Sequence, residues 1–372
     1  MRIRAFAAFL CVCTFFVLGC EGTKLDGQFG NPSESSGNTF QSDPVTEVLV
    51  LSADDEVTFR WDEKLGTSEQ IYIDYGTSLS SLDCKNATNT APANSGKLTI
   101  TGLTPNTSYY YKICAGLSGQ ATSLSDPLSG SLTTRPVCDY TLTPLWLDAG
   151  ANGGNDDGID SFDEFETFIN AMTDLDNSDG LNKKTVCLQN VTIRNTAWLG
   201  EDRIDVNNND VYIMGKGESR SLIDNQREDA TQTEHTTIFI DTNTGLSLAN
   251  LKITSRGYRG IAIDASADSS FDLIDTVEVV SFGDGTLGQF KSGIFLYRNA
   301  VINLIKDTTV ITHGSQGAGI TFFGDAGNTA TVNKIENSHF IHYGNNSRGI
   351  HFEHNNDLLE VDNLTITLAG TY

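Results

Sequence analysis

The last third of the chain alternates apolar and polar positions in short runs, and four of these runs open on a Gly-Ile pair: Gly260-Ile261, Gly293-Ile294, Gly319-Ile320 and Gly349-Ile350. Thr237-Ile238 opens a fifth. Successive isoleucines lie 23, 33, 26 and 30 residues apart, a spacing at which recurring units stack into a solenoid. Period-2 alternation sends Ile238/Ile240, Ile261/Ile263, Ile294/Leu296, Ile320/Phe322 and Ile350/Phe352 inward, and Phe239/Asp241, Ala262/Asp264, Phe295/Tyr297, Thr321/Phe323 and His351/Glu353 outward. A second set of runs, at Leu251-Lys252-Ile253, Val277-Glu278-Val279, Thr309-Val310-Ile311 and Leu364-Thr365-Ile366, predicts another ladder. Asn250, Asn337 and Asn363 precede its strands as a candidate turn ladder. Coils of a parallel β-helix stack at ~4.8 Å, so a residue's place in one coil fixes which residue it meets in the next.

Upstream the pattern changes twice. From Val45 to about Arg135, alternating runs separated by turn residues have the spacing of a β-sandwich: Val57 to Trp61, Gln70 to Tyr75, Lys97 to Ile100 and Tyr109 to Ile113. Over 161 to 175 the apolar residues Phe162, Phe165, Phe168, Ile169, Met172 and Leu175 follow a period near 3.6, which predicts one amphipathic helix. Ser161 with Glu164 three residues on is a capping-box start. A stacked helix of strands exposes a raw edge at its end, and a greasy helix ahead of the first coil covers it.

The sandwich segment resembles a fibronectin type III domain, on the strength of Trp61 ending an early strand, the Tyr75-Gly76-Thr77 turn, and the stretch from Gly102 to Tyr109 in which Leu, Pro, Thr and Tyr recur at alternate positions. The resemblance implies a spacer or binding module, with Trp61 and Tyr109 in the core and the Tyr109 hydroxyl bonded to nearby backbone. The segment from about 145 resembles the pectin lyase-like superfamily. The Gly-Ala loop near Asp148 to Gly154, the helix, and Val211 to Gly217 followed by Ser221 to Asp224 carry that likeness, which implies a right-handed parallel β-helix.

The first residues address the chain elsewhere. Arg2 and Arg4 precede an apolar run too short to span a bilayer, the pattern of an export signal. It ends Val17-Leu18-Gly19-Cys20, which resembles the lipobox of bacterial lipoproteins and implies lipidation of Cys20 and anchoring in the cell envelope, with the outer membrane as the expected address. The expected order is a signal over 1–19, a polar tether over 20–44, the sandwich over 45–136 and the β-helix over 137–372. The class is all-β, with one capping helix.

Composition narrows the partners. Loss of Arg2 and Arg4 with the signal leaves 22 basic against 48 acidic side chains, a net charge near −26. Nucleic acid is excluded as a partner, since phosphate binding needs a basic surface. Cysteines Cys84, Cys114, Cys138 and Cys187 remain after the signal and Cys20 are set aside. Outside the cytoplasm they are expected as disulfides, and Cys84–Cys114 with Cys138–Cys187 keeps each pair within one domain.

Candidate chemistry collects on the outward positions. Asp241 and Asp264, one coil apart in this register, are a candidate calcium site, because two carboxylates at ~5 Å repel unless a cation relieves them. Phe295, Tyr297 and Phe323 form a candidate sugar-stacking surface, joined by His351 and Glu353. Arg259, Lys291 and Arg348, just before ladder strands, are candidate bases if the resemblance extends to the superfamily's lyases, which remove a proton beside a uronate carboxylate with calcium's help. The pectate lyase runs Trp-x-Asp-His and Arg-Pro-x-x-Arg are absent, as are the polygalacturonase motifs Asn-Thr-Asp, Gly-His-Gly and Arg-Ile-Lys. Two readings stand: an envelope protein that binds and cleaves an acidic polysaccharide, and a non-catalytic adhesin or structural lipoprotein. No helical run follows the Leu364 strand, so the final coil is expected to need cover from a partner, a second copy or further chain.

Overall fold

The computed structural model describes residues 45, 48–61, 69–119, 124–143, 162–172, 184–195, 203–207, 210–226, 234–241, 245–257, 259–283, 291–325, 327–354 and 356–369. The signal, Cys20, the tether, Ser161, the Gly-Ala loop and Leu175 lie outside the described residues.

Alternation of apolar residues in the sandwich segment yields two antiparallel sheets. Three strands, Val48–Ser52, Glu56–Trp61 and Lys97–Thr101, face four: Asn89–Pro92, Glu69–Gly76, Ser108–Leu117 and Leu128–Thr133. Val57, Phe59, Ile71, Ile73, Ile100 and Ile113 fill the space between them. Trp61 is buried and its indole N–H donates to the Ala93 carbonyl at 2.7 Å. The Thr104 N–H donates to the Tyr109 hydroxyl at 3.0 Å, closing the corner that the sequence predicts. The disulfides are Cys84–Cys114 and Cys138–Cys187, the pairing expected from the domain boundaries.

Beyond Tyr140 the chain winds into a three-sided parallel β-helix. One side runs from Tyr140–Leu142 through Lys184–Gln189, Val211–Lys216, Leu246–Ala249, Ser270–Asp275 and Val301–Lys306. A second side holds Thr192–Asn195, Ser221–Asn225, Leu251–Gly257, Glu278–Gly283 and Thr309–His313, and the long strands Ala330–His342 and Asn356–Leu368 continue both sides around the corner. The third side is a six-stranded sheet: Ile204–Val206, Glu234–Ile240, Arg259–Ala265, Lys291–Tyr297, Gly317–Phe323 and Arg348–Glu353. Inward Ile, Val, Leu and Phe from all three sides merge in one core, and each fully buried side chain of this kind contributes roughly 1.5–3 kcal/mol.

Isoleucines do stack on the third side, but in the order Ile204, Ile238, Ile263, Ile294, Ile320 and Ile350. Ile261 pairs instead with Thr236 and Ser292, so the coil opening at Gly260 sits two residues from its expected place. The slot is set by a size limit that glycine is not alone in meeting. A Cβ at Gly293 would meet Val310 Cγ1 at 2.2 Å, at Gly319 the Phe340 ring at 3.0 Å, and at Gly349 the Ile366 side chain at 2.6 Å. Val310, Phe340 and Ile366 are themselves stacked neighbours on the second side. The residue before each stacked isoleucine therefore lies against the opposite wall and must be small. Flanking pairs put Ala262 in that slot, fully buried in the core, so Ala262-Ile263 and not Gly260-Ile261 is the equivalent unit. Ala262, expected outward, faces in.

Corners carry two further ladders. Asn250, Thr276, Asp307, Asn337 and Asn363 each hold a left-handed backbone, with φ between 46° and 57°, where the first side turns into the second. Asn363 Nδ2 donates to Asn337 Oδ1 at 3.0 Å. The expected asparagine stack thus exists at Asn337 and Asn363, while Asn250 is separated from them by Thr276 and Asp307. At the other end of the second side, Asn195, Asn225, Ser255, Ser281, Thr312 and His342 pair in sequence as a buried polar file. Asn225 donates to the Thr236 carbonyl at 2.9 Å and Ser281 to that of Gly260 at 2.6 Å, so the file stitches the second side to the third.

The helix Phe162–Ala171 seals one end. Phe162, Phe165 and Ile169, with Met172 just past it, are buried in the β-helix core. Glu166 accepts from the Asp205 N–H at 2.8 Å, and Asn170 bonds both the Asp205 carbonyl and the Asn207 N–H at 2.8 Å. The Asp205 groups belong to the first third-side strand and Asn207 directly follows it, and the strand's open edge needs such partners. At the opposite end the last described coil leaves Phe352, Val361 and Ile366 between 44% and 49% exposed and Leu359 66% exposed.

The sandwich docks along the left-handed turns. Lys216 reaches Asp54 at 2.7 Å and Asp55 at 2.8 Å, Asn250 Nδ2 donates to the Ser52 carbonyl at 2.5 Å, and Arg135 pairs with Asp275 at 2.6 Å. Hydrogen bonds to Lys216 hold the Asp55 carboxyl below its ordinary range.

Candidate functional site

The third side presents two outward files. Pairing places Asp205, Phe239, Asp264, Phe295, Thr321 and His351 in the first. Tyr297, Phe323 and Glu353 form the second, two positions further along each strand. Phe295, Tyr297, Phe323, His351 and Glu353 are thereby brought together on three consecutive coils, as expected from the sequence.

The aromatic side chains meet one another. Tyr297 stacks on Phe323 with ring centroids 5.4 Å apart, Phe295 on Phe323 at 6.3 Å, and the His354 ring meets Phe323 edge-on at 5.9 Å. The Arg298 guanidinium sits 4.7 Å from the Tyr297 ring and pairs with Asp325 at 3.1 Å. Ring faces are thus largely occupied within the stack. Thr321 is fully buried and shares a 2.6 Å hydrogen bond with Ser292.

Register changes the carboxylate picture. Asp264 lies between Phe239 and Phe295, not beside Asp241, because its coil is shifted by the two residues described above. Asp241 is exposed beyond the end of its strand, while Asp264 is 7% exposed. Among the described residues no group of three or more His, Cys, Asp or Glu side chains converges on a point that could hold a metal. The two-carboxylate site expected for calcium is not assembled.

Of the three candidate bases, Lys291 is 2% exposed and enclosed, Arg348 is exposed at the start of its strand, and the Arg259 side chain lies outside the described residues. Burial, and then the Arg348 charge, pull the His351 pKa below its ordinary value, partly offset by Glu353. His342 is no surface residue: it ends the buried polar file, and burial lowers its pKa to about 4.

Sequence reading missed a second aromatic column. Arg256, Phe282 and His313 pair across adjacent coils. The Arg256 guanidinium lies 5.0 Å from the Phe282 ring, Phe282 stacks on His313 at 4.7 Å, and His313 stacks on Tyr343 at 5.0 Å. The four residues are 26, 31 and 30 apart, the repeat length itself, so the signal lay in the spacing of aromatic residues following the second-side strands.

Residues 44–130 match the family profile of the purple acid phosphatase N-terminal domain, which covers the sandwich and stops short of the β-helix. No curated protein matches the sequence significantly. The structure is similar to the FN1–FN3 domains of chicken CNTN1 (21% identity, 25% of this chain and 32% of that chain, TM-score 0.21), so the chain spans about a third of that protein's structure. It is also similar to a family 28 exopolygalacturonase of Yersinia enterocolitica (11% identity, 88% and 87% covered, TM-score 0.30) and to pectate lyase PelI of Erwinia chrysanthemi in complex with tetragalacturonic acid (9% identity, 87% and 99% covered, TM-score 0.20).

Proposed function

We propose that this chain is a lipid-anchored envelope protein, tethered through Cys20 at the outer membrane, that holds an acidic polysaccharide along the third side of its β-helix without cutting it. The observation that carries this reading is the file Tyr297, Phe323 and Glu353, flanked by Phe295 and His351, in register over three coils; Thr321, expected outward between those two, is buried and takes no part. An extended polymer lying along the axis meets the same strand position again at each ~4.8 Å step, which suits a repeating ligand. Exposed Arg348 beside His351 supplies the positive charge that an acidic sugar needs on an otherwise acidic chain.

Binding without cleavage is supported by two observations. Proton abstraction needs a base within hydrogen-bond reach of substrate; Lys291 is enclosed and Arg348 is assigned to pairing with the sugar's charge, while the lyase and polygalacturonase runs are absent from the sequence. The carboxylates at Asp241 and Asp264 do not fit calcium, so no step is routed through it. The reading therefore joins the non-catalytic alternative, with a glycan as the ligand.

Affinity electrophoresis through gels containing polygalacturonate, alginate or hyaluronate tests it. Wild type is expected to be retarded in at least one acidic gel, with no ultraviolet-absorbing unsaturated uronate product of the kind an elimination would form. Arg348→Ala with Phe323→Ala is expected to migrate freely. Free migration of the wild type in every gel, or product formation, would defeat the reading.

A further inference from the structure

The sandwich and the β-helix close on each other like a wedge. They touch at Asn250 and Asp275, separate by a gap of about 90 Å³ beside Thr276 and Asp307, and open further on to a cleft of about 410 Å³. One wall of the cleft carries Tyr111 and Ser131 from the sandwich, and the other carries Lys306, Asp307, Glu336 and Asn337 from successive turns of the β-helix. The sandwich strand Val48–Ser52 supplies an apolar floor through Val48 and Val50.

This cleft has a built interior. The Tyr111 ring is fixed edge-on against Phe59 at 5.1 Å, and a Cβ added at Gly130 would meet the Tyr111 hydroxyl at 2.3 Å, so Gly130 leaves the room that the phenol occupies. Asn337 hydrogen-bonds Asp307. Burial raises the Asp307 carboxyl above the usual range, and nearby Asp275 adds to the rise. Burial also raises the Tyr111 hydroxyl, with the charge of Asp307 contributing, so the two walls act on each other across the gap.

We propose that this interdomain cleft is a second binding site, distinct from the third-side files, that takes one or two neutral sugar units between the sandwich and the turn ladder. Its volume falls in the range of small-ligand pockets, which favour domain interfaces. Carboxylate and amide acceptors on one wall face hydroxyl donors on the other, the alternation that a polyol satisfies. In the cleft itself the carboxylates Asp307 and Glu336 outnumber Lys306, which disfavours uronates and phosphates; Asp275 beside it is paired with Arg135. The described residues offer no cluster of three metal ligands.

Saturation-transfer NMR on the folded chain with methyl glycosides of glucose, galactose, mannose and N-acetylglucosamine, and with methyl galacturonate glycoside as the charged control, tests the proposal. At least one neutral glycoside is expected to give a signal, and on the Arg348→Ala with Phe323→Ala chain, which lacks the polysaccharide face, the uronate none. Asp307→Asn and Ser131→Trp, each checked for wild-type thermal unfolding, are expected to weaken that binding at least tenfold. Arg348→Ala with Phe323→Ala should leave it unchanged, which separates this site from the polysaccharide face. Silence of the wild type across the neutral panel overturns the proposal, as does a signal that survives Ser131→Trp. Should Ser131→Trp fail to fold, Asp307→Asn and Tyr111→Phe together decide.

Discussion

Arg135, at the end of the sandwich, and Asp275, on a turn of the β-helix, form a 2.6 Å ion pair whose side chains are only 13% and 7% exposed. Burial works against the Arg135 charge, yet Tyr212 and Asp275 raise its pKa above the ordinary value. A buried pair of this kind stabilises little relative to an apolar substitute, but breaking one half costs about 3–5 kcal/mol because the other charge is stranded. Arg135→Met is therefore expected to lose about 3 kcal/mol in urea unfolding. Arg135→Met with Asp275→Asn should recover most of it, and equal losses in the single and double variants would remove the pair from the account.

Gly293 is where the size limit of the third side can be tested. Gly293→Ala places a methyl against Val310 Cγ1, and overpacking of a filled core costs typically 1–3 kcal/mol. Val310→Ala should rescue Gly293→Ala in part, since it removes the atom that is struck. Denaturant midpoints of the two single variants and the double variant read the coupling directly, and strict additivity would contradict the packing described.

His342 predicts an acid-sensitive step. Its folded pKa of about 4 lies below the ordinary 6.5, its Nδ1 shares a 2.5 Å hydrogen bond with Thr312, and its buried Nε2 has no partner among the described residues. The unfolded chain therefore takes up this proton first as pH falls. Stability from the neutral ring is complete above about pH 6.5, is lost as pH falls towards about 4, and changes no further below that. Asp307 works in the opposite sense, so the measurement is the difference between wild type and His342→Gln across pH 7.5 to 4.5. The variant's profile is expected to be flatter, and parallel profiles would refute the assignment.

Cys138–Cys187 closes a separation of 49 residues between the segment entering the β-helix and one of its first strands. Its removal in Cys138→Ser with Cys187→Ser is expected to cost about 2–4 kcal/mol. Calorimetry on that variant should show a lowered β-helix transition. An unaltered transition would mean that packing alone holds this entry.

Much of the architecture was legible because period-2 alternation and a repeat near 30 residues report geometry directly. Trp61, Tyr109, the capping helix and both disulfides fell where local chemistry put them. The register of one coil did not, and the reason is physical: glycine opens the neighbouring coils, whereas the packing against Val310, Phe340 and Ile366 asks only for a small residue, which Ala262 also satisfies. Parity hid the slip, since a two-residue shift keeps every isoleucine inward while moving Asp264 away from Asp241. The interdomain cleft was invisible for a different cause. Tyr111 and Asp307 lie in separate domains, and no periodicity within either one reports how the two dock.

The coil register is the claim on which the third-side site rests, and cysteine cross-linking reads it most directly. Residues paired across neighbouring parallel strands lie within the separation a disulfide bridges, while residues displaced by two positions do not. Asp264→Cys with Phe295→Cys is predicted to oxidise to a new disulfide, detected by mass spectrometry of peptides, whereas Asp264→Cys with Tyr297→Cys should stay reduced. Efficient bridging of Asp264→Cys to Tyr297→Cys, with none to Phe295→Cys, would contradict the register and the files built on it.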